Sequence, residues 1–199
     1  MNKKARSKVA AKKLKLRAQL WPELDEARLW HRSEKVGFVT IPRAMPLILG
    51  IMDDMSKNKP VSSTYFDLWC RTYDDSFVVI SKPREHAFSS GFTGQRAEGA
   101  WAARMRILEN LGFIAVQPGP SGPMNYVLIW NPYEVIHKHK INRNEVIRDD
   151  SWNALQQRVV EIGADDLEIE ENEAAGEVIS QGDGQLAKIG WPARARERA

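Results

Sequence analysis

The chain is most constrained by residues 84–130, in which Gly and Pro punctuate a clear order of helices and strands. Apolar residues recur at helical spacing in the first half of this stretch, so we expect a helix over 95–111. Gly112 follows it, where a helix end favours a left-handed residue, and the β-branched residues after Gly112 predict a strand. A Gly/Pro-rich loop over 118–123 then leads to a returning strand, which we expect over 126–130.

A shorter helix and a turn are predicted just before the long helix. Pro83 can open a helix that runs to about Ser89, and Gly91 and Gly94 bracket the break behind it. Thr93 lies between these two glycines and is placed to accept the first free amides of the long helix as its N-cap. The predicted order is therefore helix, turn, long helix, strand, loop and strand.

This order resembles the winged helix-turn-helix family of DNA-binding domains. The run Arg104-Met-Arg-Ile-Leu-Glu-Asn-Leu-Gly-Phe-Ile114 is similar to the one with which many members end their second motif helix and enter the first wing strand. The resemblance implies an α+β, mainly α fold in which 95–111 is a recognition helix, whose N-terminal half enters the major groove of duplex DNA. It also implies a role in transcriptional regulation or in replication control of the plasmid or phage type.

Residues 23–140 are predicted to form the folded domain, with its core over 62–130. Before the motif, we expect a helix capped by Ser62 or Ser63 and a short buried strand over 77–80.

Additional elements are predicted on both sides of this core. A strand over 38–41 and a helix over 45–56 are expected before it. An amphipathic helix, which Ser151 is placed to cap, is expected within 141–163. Its apolar stripe packs either on the domain itself or on its copy in a second subunit, and the second alternative favours a homodimer.

Charge is divided unevenly along the chain. The net charge is +3, but residues 161–199 hold ten acidic and four basic side chains, so residues 1–160 carry +9. A basic body suits a polyanion such as DNA. Residues 164–199 are predicted to form a disordered acidic tail, which offers a site for a protein partner.

The N-terminal residues 1–22 are predicted to form a basic arm. It is either a helix that forms on a phosphate backbone or a disordered basic segment. The remaining alternative is a solvated tail that binds no partner. Its basic residues are Lys3, Lys4, Arg6, Lys8, Lys12, Lys13, Lys15 and Arg17.

The resemblance implies that residues on the predicted motif contact DNA. Arg can bond guanine, Gln can bond adenine, and small residues leave room for close approach to the groove. Free amides at a helix start can bind phosphate. The predicted DNA-binding residues are Lys82, Arg84, Thr93, Gln95, Arg96, Gly99, Ala103 and Arg106. Arg104 is expected to pair instead with Asp67, Asp74 or Asp75.

Two features depart from the family pattern. Thr93 lies about one helical turn further from Gly112 than is common, and the wing loop over 118–123 has no Lys or Arg. A wing without a cation favours an alternative in which the domain assembles a protein partner and binds no nucleic acid. A third alternative is an RNA or single-strand binder, for which Trp21 and Trp30 are the aromatic candidates.

We expect no enzymatic activity, cofactor or metal, because no set of catalytic residues can be assembled. His137 and His139 lack Cys and acidic partners for a metal, and His31 and His86 are isolated. Cys70 is the only cysteine, is expected to be buried, and fits a cytoplasmic location because it leaves no intramolecular disulfide. No apolar run approaches the ~20 residues that span a bilayer, so no membrane partner is expected.

Overall fold

The computed structural model describes residues 3–142 and 147–167, with side chains from residue 8 onward. These residues form seven α-helices and one three-stranded antiparallel sheet, which confirms the predicted mainly helical α+β class. The helices are α1 (Lys3–Leu20), α2 (Met45–Met55), α3 (Ser62–Cys70), α4 (Pro83–Ser89), α5 (Ala97–Asn110), α6 (Pro132–Ile141) and α7 (Asp149–Ile162). The strands are β1 (Phe77–Val79), β2 (Ile114–Gly119) and β3 (Gly122–Ile129). The predicted acidic tail lies outside the described residues from position 168 onward and stays a prediction.

The core is enclosed by α2 to α7 and by one face of the sheet. α3 packs on α2, α4 and α5, while α2 also contacts α6 and α7. The largest buried side chains come from different elements, among them Met52, Tyr65, Trp101 and Phe113. Because these helices are short, the burial of such side chains stabilises them more than local helix propensity does.

The sheet has the order β1-β3-β2, with β3 in the centre. Val78 pairs with Val127, and Ile114 pairs with Ile129, so these four side chains share the inner face that packs on the core. The prediction of a buried strand over 77–80 is only half right. In β1 only Val78 is buried, because strand alternation turns its two neighbours toward solvent.

The predicted wing loop is shorter than 118–123, because β2 and β3 extend into it and leave a tight turn. Asn125 is buried beneath this turn. Its side-chain amide donates to the carbonyl oxygen of Ile80 at 2.9 Å, and its Oδ1 accepts from the Ser121 amide at 3.2 Å. A Cβ at Gly119 would lie 2.2 Å from that same Oδ1, so this position has no room for a side chain.

The predicted caps of α3 and α7 are wrong. Neither Ser62 nor Ser63 caps α3. Asp53, in the neighbouring helix α2, accepts from the amides of Val61 and Ser62 at 2.7 and 2.8 Å. Ser151 lies inside α7, which begins at Asp149.

We expect Asp53→Ala to lower the free energy of unfolding by about 1 kcal/mol, because it leaves the first amides of α3 without an acceptor. Urea unfolding measures the loss. Asp74→Ala is the matched control, since Asp74 is an exposed carboxylate that makes no hydrogen bond among the described residues. Equal stability of the two variants would show that Asp53 does not act as a cap.

The segment over 38–41 is not a strand, and within the described part of the chain it pairs with none. Side-chain contacts hold it instead. The indole of Trp69 donates to the carbonyl oxygen of Thr40 at 3.0 Å, and Phe38 lies edge-on to Trp30 with ring centroids 6.1 Å apart.

The apolar stripe of α7 covers the core of its own chain. Leu155 and Val159 are buried, and α7 packs on α2. Of the two alternatives for this helix, intramolecular packing is therefore the one observed, and the stripe is not free to form a dimer. Among the described helices, none combines the length and the apolar character that crossing a membrane requires.

Candidate nucleic-acid interface

The candidate site is the α4–α5 corner, which consists of α4, the turn over 90–96 and α5. The turn closes α4 with backbone hydrogen bonds at 2.9 Å, from the amide of Gly91 to the carbonyl oxygen of Phe88 and from Phe92 to Ala87. Gly91 has a φ of +87°, a left-handed conformation that favours glycine. The chain therefore reverses sharply between the two helices and presents the turn to solvent.

Thr93 is not the N-cap of α5, contrary to the prediction. Gly94 has a φ of +81°, which interrupts the helix, and α5 begins only at Ala97, with Arg96 in the N-cap position. Thr93 and Gln95 therefore lie in the turn, where both are exposed. The unusual distance from Thr93 to Gly112 follows from this late helix start.

A polar network around the buried side chains of Asp67 and His86 connects the two helices of the corner to α3. His86 donates from Nδ1 to Asp67 at 2.7 Å, and Arg71 donates from Nε to the other oxygen of the same carboxylate at 3.0 Å. Arg71 also reaches the Ser89 hydroxyl at 3.0 Å, and the His86 ring lies 5.9 Å from that of Trp101 in α5. The prediction that His86 is isolated is wrong, because its partner lies 19 residues away in α3.

Three of the predicted DNA-binding cations are exposed on this corner, and within the described residues they form no ion pair: Arg84, Arg96 and Arg106. Lys82 is different, because it pairs with Glu85 at 2.8 Å. That hydrogen bond raises the pKa of Lys82 and lowers the pKa of Glu85. The lysine charge is therefore already paired with a carboxylate of the same helix region.

Gly99 and Ala103, the small residues predicted to leave room for DNA, both lie in α5. Gly99 is exposed, and a Cβ built there would meet nothing within 4 Å. Ala103 is half-buried, one helical turn further along the helix. A flat surface could therefore approach the backbone of α5 closely at Gly99.

Arg104 does not pair with Asp67, Asp74 or Asp75, contrary to the prediction. Its Nε donates to the carbonyl oxygen of Pro60 at 2.9 Å, and its guanidinium lies 5.7 Å from the ring centroid of Phe92. Of the three predicted acids, Asp67 already accepts hydrogen bonds from Arg71 and His86. Arg104 therefore links the turn of the corner, through Phe92, to the segment before α3, through Pro60.

Phe88 is a residue of this surface that the sequence analysis missed. It is 73% exposed at the end of α4, and it borders the turn. The sequence contains a signal for this position, because Phe88 follows Arg84 by four residues and therefore shares its helix face. An exposed ring beside an unpaired arginine suits contact with a sugar or a thymine methyl group.

The predicted basic arm is a helix in the structure, and α1 spans 18 residues, or about 27 Å. From Lys8 to Leu20 every side chain is exposed except that of Arg17, which is half-buried and bonded to Glu26. Its freely exposed cations are Lys8, Lys12, Lys13 and Lys15. The side chains of Lys3, Lys4 and Arg6 lie outside those that the structure describes.

The remaining chemical candidates have other contacts. His139 donates from Nε2 to the carbonyl oxygen of Leu111 at 2.8 Å, and His137 lies against Trp152. Across residues 3–142 and 147–167, no three His, Cys, Asp or Glu side chains gather as a metal site requires. Cys70 is exposed and not buried as predicted, because it ends α3 on the side away from Tyr65 and Leu68.

Comparison with protein-family models, with curated proteins and with solved structures finds no match to this chain.

Proposed function

We propose that the chain is a sequence-specific double-stranded DNA-binding protein of the winged helix-turn-helix type. In this proposal α4 and α5 are the two motif helices, the β2–β3 hairpin is the wing, and α5 enters the major groove. The protein acts by binding, in transcriptional regulation or in plasmid- or phage-type replication control, and not by catalysis.

The observation that carries the proposal is the set of unpaired cations on the α4–α5 corner. Arg84, Arg96 and Arg106 are exposed, and none is paired with an acid among the described residues. Elsewhere in the described residues an arginine can be neutralised by a neighbouring acid, as Arg158 is by Glu161 at 3.0 Å. Arginines without a protein partner are available to phosphates and to the guanine edge.

The buried network beneath the corner supports the same proposal. Reading a base edge requires side chains held on a rigid element, and the Asp67–His86 hydrogen bond locks α3 to α4. The exposed lysines of α1 add a second cationic surface, which suits contact with the phosphate backbone outside the groove.

Binding to random duplex DNA across a series of salt concentrations tests the proposal. We expect affinity to fall steeply as salt rises, with a log–log slope of about −0.9 for each phosphate neutralised. Changing Lys8, Lys12, Lys13 and Lys15 together to Gln should flatten that slope if α1 contacts phosphate. Failure to bind at low salt would overturn the proposal.

We expect Gly99→Ala to separate stability from DNA binding. Alanine in place of this helical glycine should raise the free energy of unfolding by about 0.5–1 kcal/mol, since no neighbour obstructs the added methyl group. The same methyl group should weaken DNA binding if the backbone of α5 touches the groove. Unfolding and binding measurements on one preparation check both expectations.

Gly50→Ala is the matched control for Gly99→Ala. Gly50 lies inside α2, is exposed, and also has nothing within 4 Å of a built Cβ. It should give a similar gain in stability with no change in DNA affinity. If Gly99→Ala binds DNA as tightly as Gly50→Ala, then DNA does not approach the backbone of α5 closely at Gly99.

The turn of the β2–β3 hairpin favours one alternative function. It is built from Gly119, Pro120, Ser121 and Gly122, which offer no cation to a minor groove. The alternative is a winged-helix module that binds a protein partner, and it predicts no affinity for duplex DNA at any salt concentration.

A further inference from the structure

The outer face of the sheet is largely apolar, although it faces away from the core. Antiparallel sheets with one solvated face usually alternate apolar residues inward with polar residues outward. Here Phe77, Val79 and Leu128 are 38%, 51% and 41% exposed. The six outward positions are Phe77, Val79, Ala115, Gln117, Tyr126 and Leu128, which we call the outer sheet patch.

The outer sheet patch is continuous across the three strands. Phe77 pairs with Leu128 across β1 and β3, and Leu128 pairs with Ala115 across β3 and β2. The rings of Phe77 and Tyr126 stack, with centroids 6.1 Å apart and an angle of 17° between their planes. Exposed apolar side chains that form one surface mark an interaction site more strongly than scattered ones do.

The chemistry of the patch narrows the choice of occupant. None of its six positions carries a charge, so it offers nothing to a DNA phosphate. An acidic partner would lose hydration of its carboxylates there and meet no cation in return. The occupant must therefore present an apolar, uncharged surface of its own.

We propose that the outer sheet patch is the contact surface between two copies of this chain. A two-fold contact brings each patch against itself, so a charged patch would repel its copy while an uncharged one is self-complementary. The stripe of α7, the other apolar surface considered for a dimer, is already buried against α2.

Such a dimer leaves the α4–α5 corners free. The inward side chains of the sheet, such as Ile114, face the core to which α5 contributes, and strand alternation directs the patch to the opposite side. The contact does not depend on DNA, so it goes beyond the function proposed above. Two copies joined in this way would suit a DNA site with two related halves.

Charge variants at Val79 test the proposal by sedimentation of the full chain. The patch has six residues, fewer than the ~20–30 residues a side of a standard interface, so we expect a reversible dimer and a measurement over a wide concentration range. Val79→Glu and Val79→Lys should each be monomeric, because like charges would meet across the two-fold axis. An equimolar mixture of the two variants should recover the dimer.

Val160→Glu is the control, since Val160 is 78% exposed on α7, outside the patch. It should dimerise like the unaltered chain, and circular dichroism should show that all variants are folded. If Val79→Glu does not fold, Leu128→Glu takes its place, with Leu128→Lys as its partner. A monomeric unaltered chain, or Val79→Glu that dimerises as well as Val160→Glu, would overturn the proposal.

Discussion

Replacing Asp67 with alanine is expected to lower the free energy of unfolding by about 3–5 kcal/mol. The carboxylate is buried and is the acceptor for both His86 and Arg71, at 2.7 and 3.0 Å. Removing one member of a buried polar pair leaves the other without a partner and with its hydration already lost. Urea unfolding with a common denaturant slope measures the effect.

A double-mutant cycle identifies the partner responsible for this loss. We expect Asp67→Ala and His86→Ala to be strongly non-additive, since each removes the same hydrogen bond. Glu98→Ala, at an exposed acid on α5, should change the stability by less than about 0.5 kcal/mol. Additive effects of Asp67 and His86 would show that the network contributes little and that packing alone holds the corner.

The second large effect is expected on DNA affinity. Arg96→Ala should weaken binding to a selected duplex site by about 1–3 kcal/mol, or about 5- to 150-fold, and relax the preference at one base pair. Arg84→Ala should instead weaken binding to all sequences similarly and reduce the salt slope by about one, because Arg84 lies on α4 and the first helix of such a motif crosses the DNA backbone. Binding titrations on the selected site and on a scrambled one separate the two roles.

Arg158→Ala controls for the loss of a positive charge as such. Arg158 is half-buried on α7 and paired with Glu161, so its removal should leave specific affinity unchanged. Equal losses for Arg96→Ala on the selected and scrambled sites would make Arg96 a phosphate contact. An unaltered affinity would take α5 out of the interface.

Local signals in the sequence were sufficient for most of the α4–α5 corner. The end of α5 is predictable because a glycine follows its apolar stripe. Gly112 has the left-handed φ, +80°, that this position requires. The helix from Pro83 and the hairpin after Gly112 were also predicted correctly, since proline and glycine act on their immediate neighbours.

Contacts between distant residues account for what the sequence could not predict. The cap of α3 comes from Asp53 in another helix, and the partner of His86 is 19 residues away. The segment over 38–41 has a strand-like composition, but a strand needs a paired neighbour, and the only strands of the described residues pair among themselves. The start of α5 was misplaced because Thr93 is a good N-cap residue that the left-handed Gly94 cuts off from the helix.

The central claim is that the α4–α5 corner lies on duplex DNA, and hydroxyl-radical footprinting of the protein tests it most directly. Phe88 is the natural reporter, because it is 73% exposed in the corner, and Val160 on α7 is the reference. The account predicts that duplex DNA protects Phe88 from oxidation and leaves Val160 unchanged. Bound DNA that leaves Phe88 as reactive as in the free protein would contradict it.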